Sequence, residues 1–502
     1  MSTSPSSGPD CFNGGSRRRE KKSFLSRRDF LFGPGEGIGG LALSYLLARE
    51  GLLAGDPKAG LLGCAGAAKS GGLAASVSPH FPPRAKAVIS LFMSGGVSHI
   101  DTFDPKPALE KYHGQRLTGK GEVRVRQGYP GPLMKSPFRA KRFGQSGIEI
   151  TEVFPHVGSV VDELALIRSA KGRSSDHSLS HFEWNTGSVR AGFPSVGSWL
   201  TYGLGSESQD LPAFVVMYDR RGGPHAGAAN WNSGFLPATT QGTVFRATGD
   251  PILHIRPPDG ITPEWQRSRL DFLAWLNEEH VNKHPGSDEL AARIASYELV
   301  YRMQGCAPQA VDLTSESDAT KSLYGLDAEI TEPFGKQCLL ARRLLERGVR
   351  FVQLYSGSTA ENSWDAHDNL KKNHSLNAQR VDKPIAGLIQ DLKLRGLLDE
   401  TLVIWHSEFG RMPISQRGVG RDHNPGAMTI WMAGAGIQGG QVIGASDELG
   451  YEAVEQVVTN HDVHATILHL MGLDHKRLTY SFNGRQMRLT DVHGELIPQI
   501  IS

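Results

Sequence analysis

The chain is poor in sulfur. Among 502 residues it holds four cysteines, Cys11, Cys64, Cys306 and Cys338. They show no C-x-x-C pair and no zinc-knuckle spacing, which excludes a sulfur-bound structural metal and a disulfide framework, and leaves one bridge, Cys306 to Cys338, open. Charge of one sign is also missing: 54 Lys and Arg stand against 52 Asp and Glu, a formal +2, so no global basic field points to nucleic acid as a partner. Long apolar runs are absent too. The best candidate, Phe30 to Ala48, is broken by Gly33, Pro34, Gly35, Glu36, Gly37, Gly39 and Gly40, which excludes a stable membrane span there. What the chain does have is histidine. Nineteen imidazoles stand against four thiols, so any metal would be held by nitrogen and oxygen. With 39% hydrophobic and 21% charged residues, the chain suffices for one large α/β domain with insertions or two ordinary ones.

Charge is unevenly placed. Residues 1–28 carry seven basic groups against Asp10 and Glu20, which leaves the body mildly acidic at −3. Within that stretch Ser26-Arg27-Arg28-Asp29-Phe30-Leu31 is a twin-arginine pair before a weakly apolar segment, the form of a Tat export signal. The plainer reading is a basic tail. Gly35-Glu36-Gly37-Ile38-Gly39-Gly40 matches a dinucleotide fingerprint, but no strand precedes it and no βαβ unit surrounds it. Leu61-Leu62-Gly63-Cys64 resembles a lipoprotein box without the apolar run that should precede it. Residues 1–83 therefore read as signal and linker, with an α/β body over 84–502.

From Ala85 on, unbroken Val- and Ile-rich runs alternate with amphipathic segments. The runs are Ala87 to Met93, Leu164 to Ile167, Ala213 to Met217, Val349 to Leu354, Thr401 to Trp405 and Met428 to Met432; helical spacing marks Phe334 to Arg347 and Asp382 to Arg395. Unbroken runs mean strands buried on both faces. This predicts a doubly wound, mostly parallel sheet with helices on both faces, and a mainly helical insertion over about 222–322. In such sheets the site gathers at the carboxyl ends of the strands. The polar clusters fall there: Ser94 to Asp101, Arg168 to His181, Trp364 to Asp368 and His406 to Arg411.

Several of these clusters pair imidazole with carboxylate: His99 with Asp101, Asp365 with His367, Glu408, and Asp422 with His423. Together they would hold one or two divalent ions, although any one of them alone serves equally as a helix cap or surface pair. His177 is open to three roles, a metal ligand, a general base or a nucleophile, besides simple helix packing with His181 one turn on. Asp176 stands beside it. Arg168 and Arg411 lie in the same rim loops and would suit bidentate binding of phosphate or sulfate.

The strings Leu91 to Pro107, His406-Ser407-Glu408-Phe409-Gly410-Arg411, Gly420-Arg421-Asp422-His423-Asn424-Pro425 and Leu489-Thr490-Asp491-Val492-His493-Gly494 resemble the DUF1501 family of bacterial exported proteins. More distantly the chain resembles the alkaline phosphatase and sulfatase superfamily. That resemblance implies a metal site at the rim of the sheet, with Asp365, His367 and His423 matching ligand positions and Glu408 standing in for an Asp. It implies a hydroxyl or thiol nucleophile ten residues before Gly187, where this chain has His177. The strand-end Asp expected first is also missing, and the nearest substitutes are His99 and Asp101. The expectation is a protein exported by the Tat translocase, periplasmic or otherwise extracytoplasmic, with a divalent Zn, Ca, Mg or Mn ion. It would hydrolyse phosphate or sulfate esters, small or polysaccharide, through a metal-activated water or His177. The other reading is a non-catalytic metal-binding or scaffold relative.

Overall fold

The computed structural model describes residues 78–501, apart from residues 122, 124, 127–128, 220–221, 247–250, 253–254, 256, 258–259, 284–287 and 360–362. The export signal, the glycine-rich string, Cys11 and Cys64 lie outside the described residues. Backbone pairing to the body already begins at His80, whose N–H donates to Gly472 at 2.8 Å, a few residues before the expected start at residue 84.

Nine strands form the main sheet: β1 (Ala87–Met93), β2 (Leu164–Lys171), β3 (Phe214–Met217), β4 (Thr243–Val244), β5 (Phe351–Ser356), β6 (Thr401–His406), β7 (Met428–Ala433), β8 (Gln441–Ile443) and β9 (Val458–Thr459). Their order is β8-β2-β7-β6-β1-β5-β3-β4, with β9 also paired to β2. All pairings are parallel except those of β7, which runs against both β2 and β6. The six apolar runs all became strands of this sheet. The three short strands β4, β8 and β9 carry too few residues to leave a pattern.

Among the described residues the helices of nine or more residues are α1 (His177–Thr186), α2 (Val196–Leu204), α3 (Pro263–Lys283), α4 (Asp288–Val311), α5 (Glu332–Leu345), α6 (Leu370–Leu394) and α7 (Asn460–Leu470). Every residue of β1 is buried, and its alternate side chains enter different cores. Ile89, Leu91 and Met93 pack with Leu339 and Leu344 of α5 and Ile385 and Leu392 of α6. Val88 and Phe92 pack with Trp184 of α1, Trp199 and Leu200 of α2 and Ile467 of α7. The sheet is thus covered on both faces, which is why its strands read as continuous apolar runs. Between β3 and β5, α4 sends Met303, Ala307 and Ala310 into the first of these cores.

One buried ionic knot ties the α5–α6 face together. Arg342 on α5, 2% exposed, lies 2.7 Å from Glu316, 2.8 Å from Glu346 and 3.0 Å from Asp391 of α6. Removing the cation takes away the buried partner that the three carboxylates share, although Arg343 keeps Glu316 and Arg395 keeps Asp391, so Arg342→Met should lower stability by about 1.5–3 kcal/mol, read as a lower denaturant midpoint. The bridge left open by the sequence does not form: Cys306 is exposed and free, and Cys338 is free and fully buried. Burial pushes the Cys338 thiol far above its ordinary value. A thiol reagent should therefore modify Cys306 in the native protein and Cys338 only after denaturation, as peptide mapping would reveal.

Candidate metal centre

Because every strand but β7 points the same way, the carboxyl ends of β1, β2, β3, β5 and β6 and the amino end of β7 share one rim. Two glycines let the rim loops close on each other. After β1 the chain turns at Gly95 (φ 122°), where a Cβ would lie 2.4 Å from the backbone nitrogen of Trp364 and 2.5 Å from that of Asp365. At Gly420 a Cβ would meet the His367 carbonyl at 1.9 Å. Beyond β6 a two-residue ribbon pairs Arg411 with His423 and Gly410 with Asn424, which carries His423 back to the loop that holds Asp365.

Asp365 is the meeting point. Its Oδ1 lies 2.7 Å from Arg411 Nη2, 3.0 Å from His367 Nε2 and 3.2 Å from His423 Nε2; its Oδ2 lies 3.5 Å from His177 Nε2. The other nitrogen of each imidazole is engaged. His423 Nδ1 donates to the Ser175 carbonyl at 2.7 Å, His177 Nδ1 donates to Glu408 Oε1 at 2.7 Å, and His367 Nδ1 donates to Gln416 Oε1. Those oxygens accept only, so a ring that is neutral at any of the three positions carries its proton on Nδ1 and turns Nε2 to Asp365. Ligand atoms of His177, Asp365 and His423 lie within 4.8 Å of one another, as do those of His367, Asp422 and His423.

The local charges sort the protonation states. Burial works to raise Asp365, but the Arg411 charge and the hydrogen bonds from His177, His367 and His423 hold its carboxyl well below the usual range. Burial opposes charge on His177 as well, yet Asp365 and Glu408 outweigh it and push the imidazole up to about 9, so without an ion its Nε2 is protonated toward Asp365, and a cation there would displace that proton. Burial, with the Arg411 and His177 charges behind it, brings His423 down to about 4.

A second layer surrounds this cluster. Glu408, wholly buried, accepts from the Gly95 N–H at 2.8 and 3.1 Å and from the Ser407 hydroxyl at 2.9 Å, with His181 Nε2 at 3.4 Å. His225, in the loop after β3, stacks on His177 with ring centroids 4.3 Å apart and planes 11° apart; burial and the neighbouring His177 and His181 lower it to about 4. The Phe409 ring sits 4.4 Å from His423 and 5.0 Å from His177. At the mouth, Arg126 donates its backbone N–H to Asp422 at 2.5 Å and its guanidinium to Asp176 at 2.6 Å.

The sequence expectations divide accordingly. His177, Asp365, His367 and His423 converge, with Glu408 one shell behind. His99 and Asp101 do not join them. His99 Nε2 donates to the Gly450 carbonyl at 2.9 Å and its Nδ1 accepts the Arg411 N–H at 3.4 Å, so both nitrogens brace loops. Both oxygens of Asp101 are taken by Arg421, at 2.6 and 3.1 Å, in a fully buried pair. Arg168 faces away, donating to the carbonyls of Phe103 at 2.8 Å and Glu149 at 2.5 Å. Arg411 is at the site but wholly buried, spending its donors on the carbonyls of Gly95, Gly96 and Arg421 besides Asp365, so it has no face for a substrate anion. Asp176 caps α1 by accepting the Leu179 N–H at 3.2 Å. His225 and Arg126 went unread. The rule that loops after strand ends carry the site would have found His225, had its loop not been absorbed into the expected insertion.

Solved structures similar to this chain include the sulfatase PsFucS1 from Pseudoalteromonas sp., 13% identical, with TM-score 0.34 over 77% of this chain and 68% of that one. The alkaline phosphatase from the Antarctic bacterium TAB5 is 12% identical, with TM-score 0.34 over 78% of this chain and 99% of that one. The phosphonate monoester hydrolase SpPMH from Silicibacter pomeroyi is 14% identical, with TM-score 0.29 over 66% and 71%. No curated protein matches in sequence. The family model described as "Protein of unknown function (DUF1501)" matches residues 85–501, and the chain belongs to that family.

Proposed function

We propose that this protein is an exported, metal-dependent hydrolase of phosphate or sulfate esters, acting at the rim cluster around Asp365. One observation carries the reading: three imidazoles, each with its Nδ1 proton engaged elsewhere, turn Nε2 toward one carboxylate. Without an ion these Nε2 atoms can serve Asp365 as hydrogen-bond donors; a cation among them would take the place of those protons, and imidazole nitrogens gathered around one carboxylate fit a divalent metal. Its nitrogen-rich chemistry favours a zinc-type ion over Mg or Ca, which take oxygen ligands. His177, Asp365, His367 and His423 would hold the ion, with Asp422 flanking them. A divalent ion there would supply Lewis acidity and make water a competent nucleophile at neutral pH.

The chain's own residues would do the rest. Arg126, whose side chain is 37% exposed, is the rim guanidinium able to exchange Asp176 for the anionic group of an ester. His225, lowered to about 4 and stacked on His177, is placed to take or give a proton beside that ring. Phe409 keeps water from one side of the cluster. The second reading, a metal-binding scaffold without turnover, is favoured by the same Phe409 and by His177 standing at the start of α1 where a hydroxyl nucleophile would be needed.

Export by the Tat route rests on Ser26-Arg27-Arg28-Asp29-Phe30-Leu31. Among the described residues no helix is long and apolar enough to cross a membrane.

Purified protein should contain a tightly held zinc-type ion, and Asp365→Ala and His423→Ala should lose it, as measured by elemental analysis after dialysis. In a screen of aryl phosphates, phosphodiesters and sulfates, turnover should fall with chelator. In Asp365→Ala it should drop by more than the roughly 10–100-fold that outer-shell changes cost. Metal retention and turnover equal to the parent in these variants would sink the proposal; metal retained without any turnover on every ester would favour the scaffold.

A further inference from the structure

Glu408 was expected among the metal ligands, but its contacts give it a different task. A carboxylate offers about four lone-pair positions. Here the Gly95 N–H lies across both oxygens at 2.8 and 3.1 Å, the Ser407 hydroxyl takes Oε2 at 2.9 Å, and His177 Nδ1 takes Oε1 at 2.7 Å. His181 Nε2 stands 3.4 Å from Oε1, itself held by the Ser94 hydroxyl at 3.2 Å. Glu408 is fully buried, and its surroundings are built from three separate pieces of chain, after β1, at the start of α1 and after β6. Both oxygens are thus engaged, with the Ser407 hydroxyl shared with the Met93 carbonyl at 2.7 Å, and Glu408 stands outside the two groups of convergent ligand atoms.

What this buried carboxylate does reach is the proton of one ring. His177 Nε2 is buried and lies 3.5 Å from Asp365 Oδ2, while the same ring's Nδ1 is pinned to Glu408. The ring is stacked on His225 and edged by His423 at 4.5 Å, so it cannot rotate without breaking those contacts. We propose that Glu408 is a positioning residue rather than a ligand: by claiming the Nδ1 proton of His177 it fixes the tautomer and aims Nε2 at the cation beside Asp365. This rests on the metal reading above. Carboxylates that accept the second N–H of a metal-bound imidazole act in this way, raising its basicity and holding its plane.

The test titrates metal-free full-length protein with zinc against a chromophoric chelator. Glu408→Gln keeps the shape but can present an N–H to His177 Nδ1, which favours the wrong tautomer. The expected result is zinc affinity weaker by about 10–100-fold. The double variant Glu408→Gln/His177→Ala should bind no more weakly than His177→Ala alone, because both changes act through one imidazole. Glu408→Asp, which keeps the charge, should recover part of the loss. Unchanged affinity in Glu408→Gln, or losses that add in the double variant as two independent ligands would, overturns the proposal. If the Gln variant does not fold, the long-range proton–nitrogen spectrum of zinc-loaded parent protein decides, with His177 assigned by its loss in His177→Ala. A protonated Nδ1 supports the assignment and a protonated Nε2 overturns it. Zinc binding indifferent to Asp365→Ala, His177→Ala and His423→Ala alike removes the metal reading and this one with it, whereas indifference to Glu408→Gln alone removes only this one.

Discussion

The rim is organised by one anion that its surroundings never leave alone. Asp365 sits on a loop between β5 and α6, half sheltered, with a guanidinium and three ring nitrogens within 3.5 Å. A carboxylate in such a place needs compensation, because burial alone would drive it to take up a proton. Arg411 supplies a fixed part of it. The imidazoles supply an adjustable part, since each can present a proton, a lone pair to a metal, or neither. The loops that meet here come from distant parts of the chain, and Asp365 is what they have in common.

Holding those loops falls to two buried arginines. Arg411 joins the carbonyls of Gly95, Gly96 and Arg421 to Asp365, while Arg421 joins Asp101 to the carbonyls of Met134, Met412 and Pro413. Loop carbonyls drawn under the rim have no ladder to satisfy them, and an unpaired buried carbonyl is costly. A planar fork with five donors can satisfy several at once, which a lysine cannot. The charge of Arg421 is met by Asp101, so the scaffold stays neutral beneath the cluster. The residues of Gly420-Arg421-Asp422-His423 thus divide their labour: close approach, bracing, support for the mouth through Arg126, and a nitrogen donor.

This division explains what could be read from sequence. The strands were legible because burial on both faces imposes runs of apolar residues, and the rim was legible because parallel strands end together. The side of the rim each polar residue would face was not. His99 and Asp101 follow β1 in the right place for ligands, yet the turn at Gly95 and Gly96 sends them beneath the site, where Arg411 and Arg421 require partners. Arg168 lies within β2 and alternates to the other face. Glu408 lies just past the end of β6 as expected, but its carboxylate accepts the N–H of Gly95, in a turn whose φ of 122° and close approach to the backbone of Trp364 and Asp365 call for glycine. His225 was hidden by composition, because a loop rich in glycine and proline looks like a connector whatever it carries.

Phe409 completes the argument from orientation. Its ring rests on Gly96, where a Cβ would come within 2.4 Å of it, and it touches both His177 and His423. A ring in that position cannot bind metal, but it lowers the local dielectric and so strengthens every charge interaction beside it. Burial is the largest influence bringing His423 down to about 4, which keeps its Nε2 unprotonated through the neutral range. The chain therefore secures nitrogen donors less by adding charge than by excluding water and fixing which nitrogen carries the proton. The carbonyl of Ser175 does this for His423, the amide of Gln416 for His367, and the carboxylate of Glu408 for His177. Three different acceptors from three different loops impose the same tautomer on three rings, and that agreement is hard to account for by packing alone.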